Sequence, residues 1–95
     1  MKENEKKLVE ILNGSNLSKS DKMDWVDFFA FFPGELQKTY LEIFSSFPEK
    51  IEWFNEIMQK KKSAMEILKN DKEKGEEMMR QIVAEEKEEI EKMIQ

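Results

Sequence analysis

The spacing of apolar residues along the chain predicts a protein built from helices. Apolar side chains recur at intervals of three and four residues, which places them on one face of a helix. The sequence has no sustained alternation of apolar and polar residues, and its β-branched residues are scarce, so strand signals are missing. The expected fold class is all-α, a small orthogonal bundle of about five helices.

Capping residues and a glycine mark the first two predicted helices. The first helix runs from about Asn4 to Asn13, and Gly14 follows it as a stop. The second helix begins at a capping box in which Ser18 pairs with Asp21 three residues later. The residues between these two helices are expected to form a loop.

Prolines mark the boundaries of the next helices. Pro33 ends the second helix one or two residues before it, because a residue that precedes proline disfavours helical geometry. The third helix starts near Gly34. A capping box of Ser46 with Glu49 opens the fourth helix, and Pro48 occupies its first turn, where a missing N–H is harmless.

The apolar face of each helix gives a predicted core. In the first, third and fourth helices these faces consist of Leu8, Val9, Ile11 and Leu12; Leu36, Tyr40, Ile43, Phe44 and Phe47; and Ile51, Trp53, Phe54, Ile57, Met58, Ala64, Met65 and Leu68. The sequence therefore predicts a single domain over residues 1–95, with its core bundle at 4–69.

A polar stretch at 70–77, NDKEKGEE, interrupts the apolar spacing before an acidic, amphipathic fifth helix at 78–95. Two arrangements stay open. The fourth and fifth helices form an antiparallel hairpin, or one continuous helix runs from Pro48 to the C-terminus. The second arrangement is allowed because glycine inside a helix costs only about 1 kcal/mol.

Two stretches offset by fifteen residues resemble each other and predict an internal repeat. They are WVDFFAFFPGEL at 25–36 and YLEIFSSFPEKI at 40–51, and each places Phe-Pro at the same position. The repeated unit would be a short helix that ends at a tight corner, which favours the orthogonal bundle. A chance similarity between two amphipathic helices is the alternative.

Within the first repeat, Phe31 has no apolar counterpart. It aligns with a serine, Ser46, and projects away from the apolar side of its helix, between Asp24 and Asp27. Phe31 is therefore the best candidate for an exposed aromatic side chain. The preferred interpretation is nevertheless that the helix unwinds before Pro33 and Phe31 turns inward.

Two charged residues interrupt apolar faces and form a candidate pair. Lys61 lies within the apolar face of the fourth helix and Glu86 within that of the fifth. Their positions are symmetric about the 70–77 break, so an antiparallel hairpin would bring them together and they would fix its register. Alternatively, each charge lies in solvent at the edge of the domain.

The fifth helix carries an apolar stripe that suits either a core or a partner. Met79, Val83, Glu86, Ile90 and Met93 follow heptad spacing, but over barely two heptads. Packing against its own domain is the commoner role for such a stripe, and a dimer is the alternative. The candidate partner-binding residues are Phe31, Met79, Ile82, Val83, Ile90, Met93 and Ile94.

Composition argues against an enzyme. The chain has no Cys and no His, which removes thiolate chemistry, the commonest general base and the commonest metal ligand. Gly-rich phosphate loops and EF-hand spacing are missing from the sequence, so we expect no cofactor, no metal and no small-molecule substrate. No apolar run is long enough to span a membrane, and a cytoplasmic location is expected.

The net charge of −5 argues against nucleic acid as a partner, since phosphate backbones bind clustered Lys and Arg. Residues 70–95 contain five Lys and Arg against nine Asp and Glu, a net of −4, so most of the acidity lies there. The expected function is a non-catalytic helical module for protein–protein interaction or self-association, including a homodimer. The alternative is a small acidic inhibitor, or nucleic-acid mimic of the phage-antagonist type, that blocks a basic site on its partner.

Overall fold

The computed structural model describes residues 2–94, and this part of the chain confirms the predicted all-α helical bundle. Five α-helices and one short 3₁₀ turn follow one another without a strand among the described residues. They are α1 (Glu3–Asn13), α2 (Lys19–Phe29), α3 (Gly34–Ser46), the 3₁₀ turn (Pro48–Lys50), α4 (Ile51–Asn70) and α5 (Lys72–Met93).

The chain divides into two compact units, and the division falls between Asn55 and Glu56, inside α4. The first unit contains α1 to α3, the 3₁₀ turn and the beginning of α4. The second unit contains the rest of α4 and α5. The single domain predicted over 1–95, with a core at 4–69, stays a prediction.

The loop between α1 and α2 ends at the predicted cap. Gly14 follows α1, and its backbone N–H donates to the Ile11 carbonyl at 3.1 Å. The Ser18 hydroxyl accepts a hydrogen bond from the Asp21 backbone N–H at 3.1 Å, which satisfies a donor that the first turn of a helix otherwise leaves open. The local signals in this segment were therefore sufficient to place both boundaries.

Helix α2 ends at Phe29, two or three residues earlier than predicted. The Phe31 N–H donates to the Phe28 carbonyl and the Phe32 N–H to the Phe29 carbonyl, at 3.0 and 3.1 Å, so the chain tightens into a 3₁₀-type turn. The buried Gln37 side chain also donates to the Phe29 carbonyl, at 2.8 Å. A side chain from α3 thus supplies a hydrogen bond to a backbone carbonyl at the end of α2.

This glutamine also explains why the buried face of α3 differs from the prediction. Tyr40, Ile43 and Phe44 are buried as expected, but Leu36 is 40% exposed and Leu41 is buried instead. Gln37 and Leu41 lie on the same side of the helix, one turn apart. Because Gln37 reaches inward to α2, the face of α3 that points to the core rotates toward these two residues.

Aromatic rings form the core of the first unit. Trp25 packs edge-on against Tyr40 and Phe44, with ring centroids 5.6 and 5.2 Å away, and the Phe44 and Phe54 rings are 6.0 Å apart. Such pairs stabilise by about 0.5–1.5 kcal/mol beyond the burial of their surface. The buried apolar side chains of this unit are Leu8, Leu12, Trp25, Phe29, Tyr40, Leu41, Ile43, Phe44, Ile51 and Phe54.

A short polar chain runs through this core. The Trp25 indole N–H donates to the Asn55 side-chain carbonyl at 3.1 Å, and the Asn55 amide donates to an Asp21 carboxylate oxygen at 2.9 Å. Both hydrogen bonds satisfy polar groups that would be costly to bury alone. Asp21 therefore links the cap of α2 to the second turn of α4, a role that its position in the sequence did not indicate.

The corner at Phe47-Pro48 differs from the prediction. Pro48 opens the 3₁₀ turn, and α4 begins only at Ile51. Ser46 is still the last residue of α3, and Phe47, the N-cap residue of the turn, receives no side-chain cap. The predicted capping box of Ser46 with Glu49 is therefore wrong, because the chain leaves the helix one residue later than that box requires.

The two stretches proposed as a repeat show similar burial at several aligned positions. Trp25 and Tyr40 are both buried, as are Phe29 and Phe44, whereas Phe32 and Phe47 are both half-buried beside their prolines. The aligned Leu36 and Ile51 differ, since only the isoleucine is buried. The repeat itself stays a prediction.

In the second unit a single residue separates the helices. Asp71 ends the α4 pattern and caps α5, where its carboxylate accepts from the Lys74 N–H at 3.1 Å. A continuous helix is therefore wrong, and so is a break as long as 70–77. Gly75 lies inside α5 and not in a loop. It is buried because α4 packs closely against it.

The core of this second unit is small. Its buried side chains are Ile57, Met58, Ala64 and Ile82. Met65 and Leu68, both predicted as core residues of α4, are 43% and 40% exposed. The prediction failed at these two positions because α5, a single helix, covers only part of the apolar face of α4.

Candidate protein-interaction site

The first candidate surface is the corner between α2 and α3, where Phe31 is 87% exposed. The chain does unwind before Pro33, but the phenyl ring points to solvent, so the inward orientation preferred from the sequence is wrong. The 3₁₀-type turn at the end of α2 carries this side chain outward while its neighbour Phe32 stacks on Tyr40 at 5.5 Å. Phe31 is thus an exposed ring at a corner where Phe32, its neighbour, packs inward.

The second candidate surface lies on the hairpin of α4 and α5, whose register is visible in two ion pairs. The Lys61 ammonium lies 2.9 Å from the Glu86 carboxylate, with side chains only 22% and 12% exposed. Beside it, the Lys60 ammonium lies 3.4 Å from the Glu85 carboxylate, and both side chains are about half exposed. The structure therefore brings the two interrupting charges together across an antiparallel pair of helices.

The two helices approach each other closely at Gly75. A Cβ atom at this position would lie 2.6 Å from the Leu68 Cα and 2.7 Å from the Leu68 backbone nitrogen. Counting equal rises along both helices from this contact puts Ile82 level with Lys61. Glu86 is four residues, about one helical turn, beyond the level of Lys61, so the two long side chains span that offset to meet. The close packing of α4 and α5 at Gly75 brings the helices near enough for this contact.

The predicted apolar residues of α5 separate into two groups. Ile82 is 7% exposed and belongs to the core of the unit, so its side chain is not offered to a partner. Met79, Val83, Ile90 and Met93 are half-buried, and Ile94 is 77% exposed. The half-buried residues and the exposed Ile94 are what remains for contact with another protein.

A shallow groove of about 560 Å³ follows one flank of the hairpin, and we call it the α5 flank groove. Its lining is mostly apolar with charged residues along the edge: Leu68, Glu76, Met79, Arg80, Val83, Ala84 and Lys87. Sequence reasoning found Met79 and Val83 but missed the other residues. Leu68 was assigned to the core, and Glu76, Ala84 and Lys87 gave no signal until the helix was placed.

Arg80, a charged residue at the edge of the groove, takes part in an ion pair. Its guanidinium lies 2.7 Å from the Glu77 carboxylate, one turn earlier on α5. This hydrogen bond, together with one from Gln81, lowers the pKa of the Glu77 carboxyl, and the same contact raises the pKa of Arg80. Both groups are solvent-exposed, so the pair orients Arg80 along the helix and contributes little to stability.

Among residues 2–94, no group of three or more acidic side chains is arranged to hold a metal ion. None of the helices described above is both long and apolar enough to cross a membrane.

Comparison with known proteins found no matching family model, no similar curated protein and no similar solved structure.

Proposed function

We propose that this protein is a non-catalytic helical module that works through contact with another protein surface, either a second copy or a different protein. The observation that carries the proposal is the open apolar flank of the α4–α5 hairpin. Leu68 is 40% exposed there, and it lines the α5 flank groove together with Met79 and Val83. No enzymatic step, cofactor, nucleic acid or membrane forms part of the proposal.

Three properties of this flank favour contact with a protein. Its apolar residues are contiguous, whereas isolated exposed apolar residues need no explanation. Methionine supplies flexible, polarisable contacts that adapt to a partner. The charged edge, with Glu76, Arg80 and Lys87, resembles the polar rim that surrounds an apolar centre in protein interfaces.

The acidic inhibitor or nucleic-acid mimic is the less favoured candidate. In its favour are the exposed carboxylates of α5, but several of them have cations beside them. Glu77 contacts Arg80 at 2.7 Å, and Glu88 contacts Lys92 at 3.6 Å. Because these cations divide the negative charge, the helix offers a basic partner a mixed surface and not a row of phosphate-like groups.

Photocrosslinking from the groove tests the proposed function. Benzoylphenylalanine is placed at Val83, which lines the groove, and in a matched control at Glu88, which is exposed on the other side of α5. Irradiation is performed on the purified protein and on native host extract. We expect discrete adducts from position 83 and few from position 88, because only the groove contacts a partner.

The masses of the adducts separate the alternatives. An adduct of two chains in the purified protein indicates self-association, and an adduct of a different mass in the extract indicates another protein. Equal labelling from both positions, or no adduct from position 83 in either sample, would contradict the proposed function.

A further inference from the structure

The charges along the α5 flank groove have opposite signs at its two ends. Glu76 lies at the end nearer the N-terminus of α5, and Lys87 lies at the other end. Eleven residues separate them, which is about 16 Å along the helix axis. The residues between them on this flank include Met79, Val83 and the small Ala84.

The charges on this flank of α5 are complementary to those on a second α5 that runs in the opposite direction. A copy of α5 that runs antiparallel places its own Lys87 opposite Glu76 and its own Glu76 opposite Lys87. A two-fold axis therefore forms two opposite-charge contacts from one pair of residues, as an isologous dimer interface requires.

Resting on the function proposed above, we propose that the occupant of the groove is a second copy of this chain. Helix α5 packs antiparallel on α5 of the other copy, about a two-fold axis that crosses the helix between Gln81 and Ile82. In this register Met79 is level with the second copy's Ala84, and the two side chains lie at opposite edges of the contact. Arg80 lies beside the second copy's Val83, where the stem of the arginine covers apolar surface.

The charges also select this register against its neighbour. Moving the axis by two residues, to lie between Val83 and Ala84, would place Arg80 opposite Lys87 and Glu76 opposite Glu91. Both contacts would then join like charges, which disfavours that alignment. The favoured axis passes through the middle of the groove, where the apolar lining residues of both copies meet.

Helix α4 contributes to the same interface. Leu68 lies level with Gly75, because a Cβ at residue 75 would lie 2.6 Å from the Leu68 Cα. In the antiparallel register, position 75 is level with position 88 of the second copy, so Leu68 lies close to that copy's Lys87 stem and Ile90. The contact would cover two residues, the exposed Leu68 and the half-buried Ile90, that the hairpin leaves open.

Charge reversal at the two ends of the groove tests the register. The variants Glu76→Lys and Lys87→Glu each turn both opposite-charge contacts of the homodimer into like-charge contacts. We expect each variant alone to dimerise about tenfold more weakly than the unmodified protein at low salt, with the difference shrinking at high salt. Dimerisation is measured by sedimentation and native mass spectrometry.

Mixing the two variants gives the decisive result. One chain then carries lysine at both positions and the other carries glutamate at both, so the antiparallel heterodimer has two opposite-charge contacts. We expect the mixture to form heterodimers as tightly as the unmodified protein forms homodimers. Since both side chains are exposed, the fold should be unchanged, and circular dichroism of each variant serves as the check.

The outcomes distinguish this inference from the proposed function. Weak homodimers with a restored heterodimer support the register. If the unmodified protein dimerises but the single variants behave like it, or the mixture shows no preference for heterodimers, the register is overturned while self-association stands. If the protein is monomeric throughout, the second copy is overturned as the occupant, and photocrosslinking in extract then decides whether any protein contact remains.

Discussion

Replacement of Gly75 by alanine lowers the free energy of unfolding by about 2 kcal/mol. The new Cβ would lie 2.6 Å from the Leu68 Cα, well inside van der Waals contact, and the two nearest atoms are backbone. Backbone cannot rotate away as a flexible side chain can, so the two helices must separate by several tenths of an ångström or more. Alanine favours a helix over glycine by about 1 kcal/mol, but the loss of packing along the hairpin exceeds that gain.

The matched control is Gly34→Ala, at the first residue of α3. A Cβ there would meet no atom within 4 Å, so the propensity of alanine acts without opposition. Thermal unfolding followed by circular dichroism should show a clear decrease in Tm for Gly75→Ala and an unchanged or higher Tm for Gly34→Ala. An increase in Tm for both variants would mean that α4 and α5 do not approach each other at Gly75.

A double-mutant cycle on Lys61 and Glu86 should give the second large effect. The pair is closer and more buried than its neighbour, Lys60 with Glu85, which is about half exposed. Partly buried charges attract more strongly than solvated ones, but desolvation offsets much of that gain. Either single change, Lys61→Met or Glu86→Gln, should therefore destabilise by about 1–2 kcal/mol, because the remaining charge loses its partner's charge at 2.9 Å.

The double variant should lose less than the sum of the two single changes, which gives a coupling of about 1 kcal/mol. The same cycle on Lys60 and Glu85 is the control, and solvent screening should limit its coupling to about 0.5 kcal/mol or less. Chemical denaturation measures both. Zero coupling between Lys61 and Glu86 would show that the pair does not fix the register of the hairpin.

Some features of the fold followed from the sequence because the signal was local. The Ser18 cap depends on residues three apart, and the burial of Tyr40, Ile43 and Phe44 in α3 depends on helical spacing. Even the contact between Lys61 and Glu86 could be anticipated, since two charges placed symmetrically in apolar faces have few other reasons to be there.

Other features depended on distant residues and gave no local signal. Gly75 resembled a helix breaker, although its role is to let Leu68 approach. Asn55 and Gln37 resembled ordinary polar surface residues, yet each satisfies a buried group more than seven positions away, the Trp25 indole and the Phe29 carbonyl. A polar side chain is predictable as buried only when its partner's position is known.

The candidate site was predicted only in part for the same reason. The apolar pattern of α5 identified Met79 and Val83 as candidates but gave Ile82 the same status, although it is buried. Which side of α5 remains open is decided by where α4 lies, and the contact at Gly75 sets that. Glu76 and Lys87 can be recognised as lining the groove only after the open side of α5 is known.

The solution mass of the protein as a function of concentration tests the central claim most directly. Sedimentation of the unmodified chain should show a mass that rises from 11.4 kDa toward twice that value, whereas Ile90→Glu, which places a charge on the open apolar flank, should stay near 11.4 kDa. A mass that stays at 11.4 kDa for the unmodified chain at every concentration, or one that rises equally for both chains, would contradict self-association through the flank of α5.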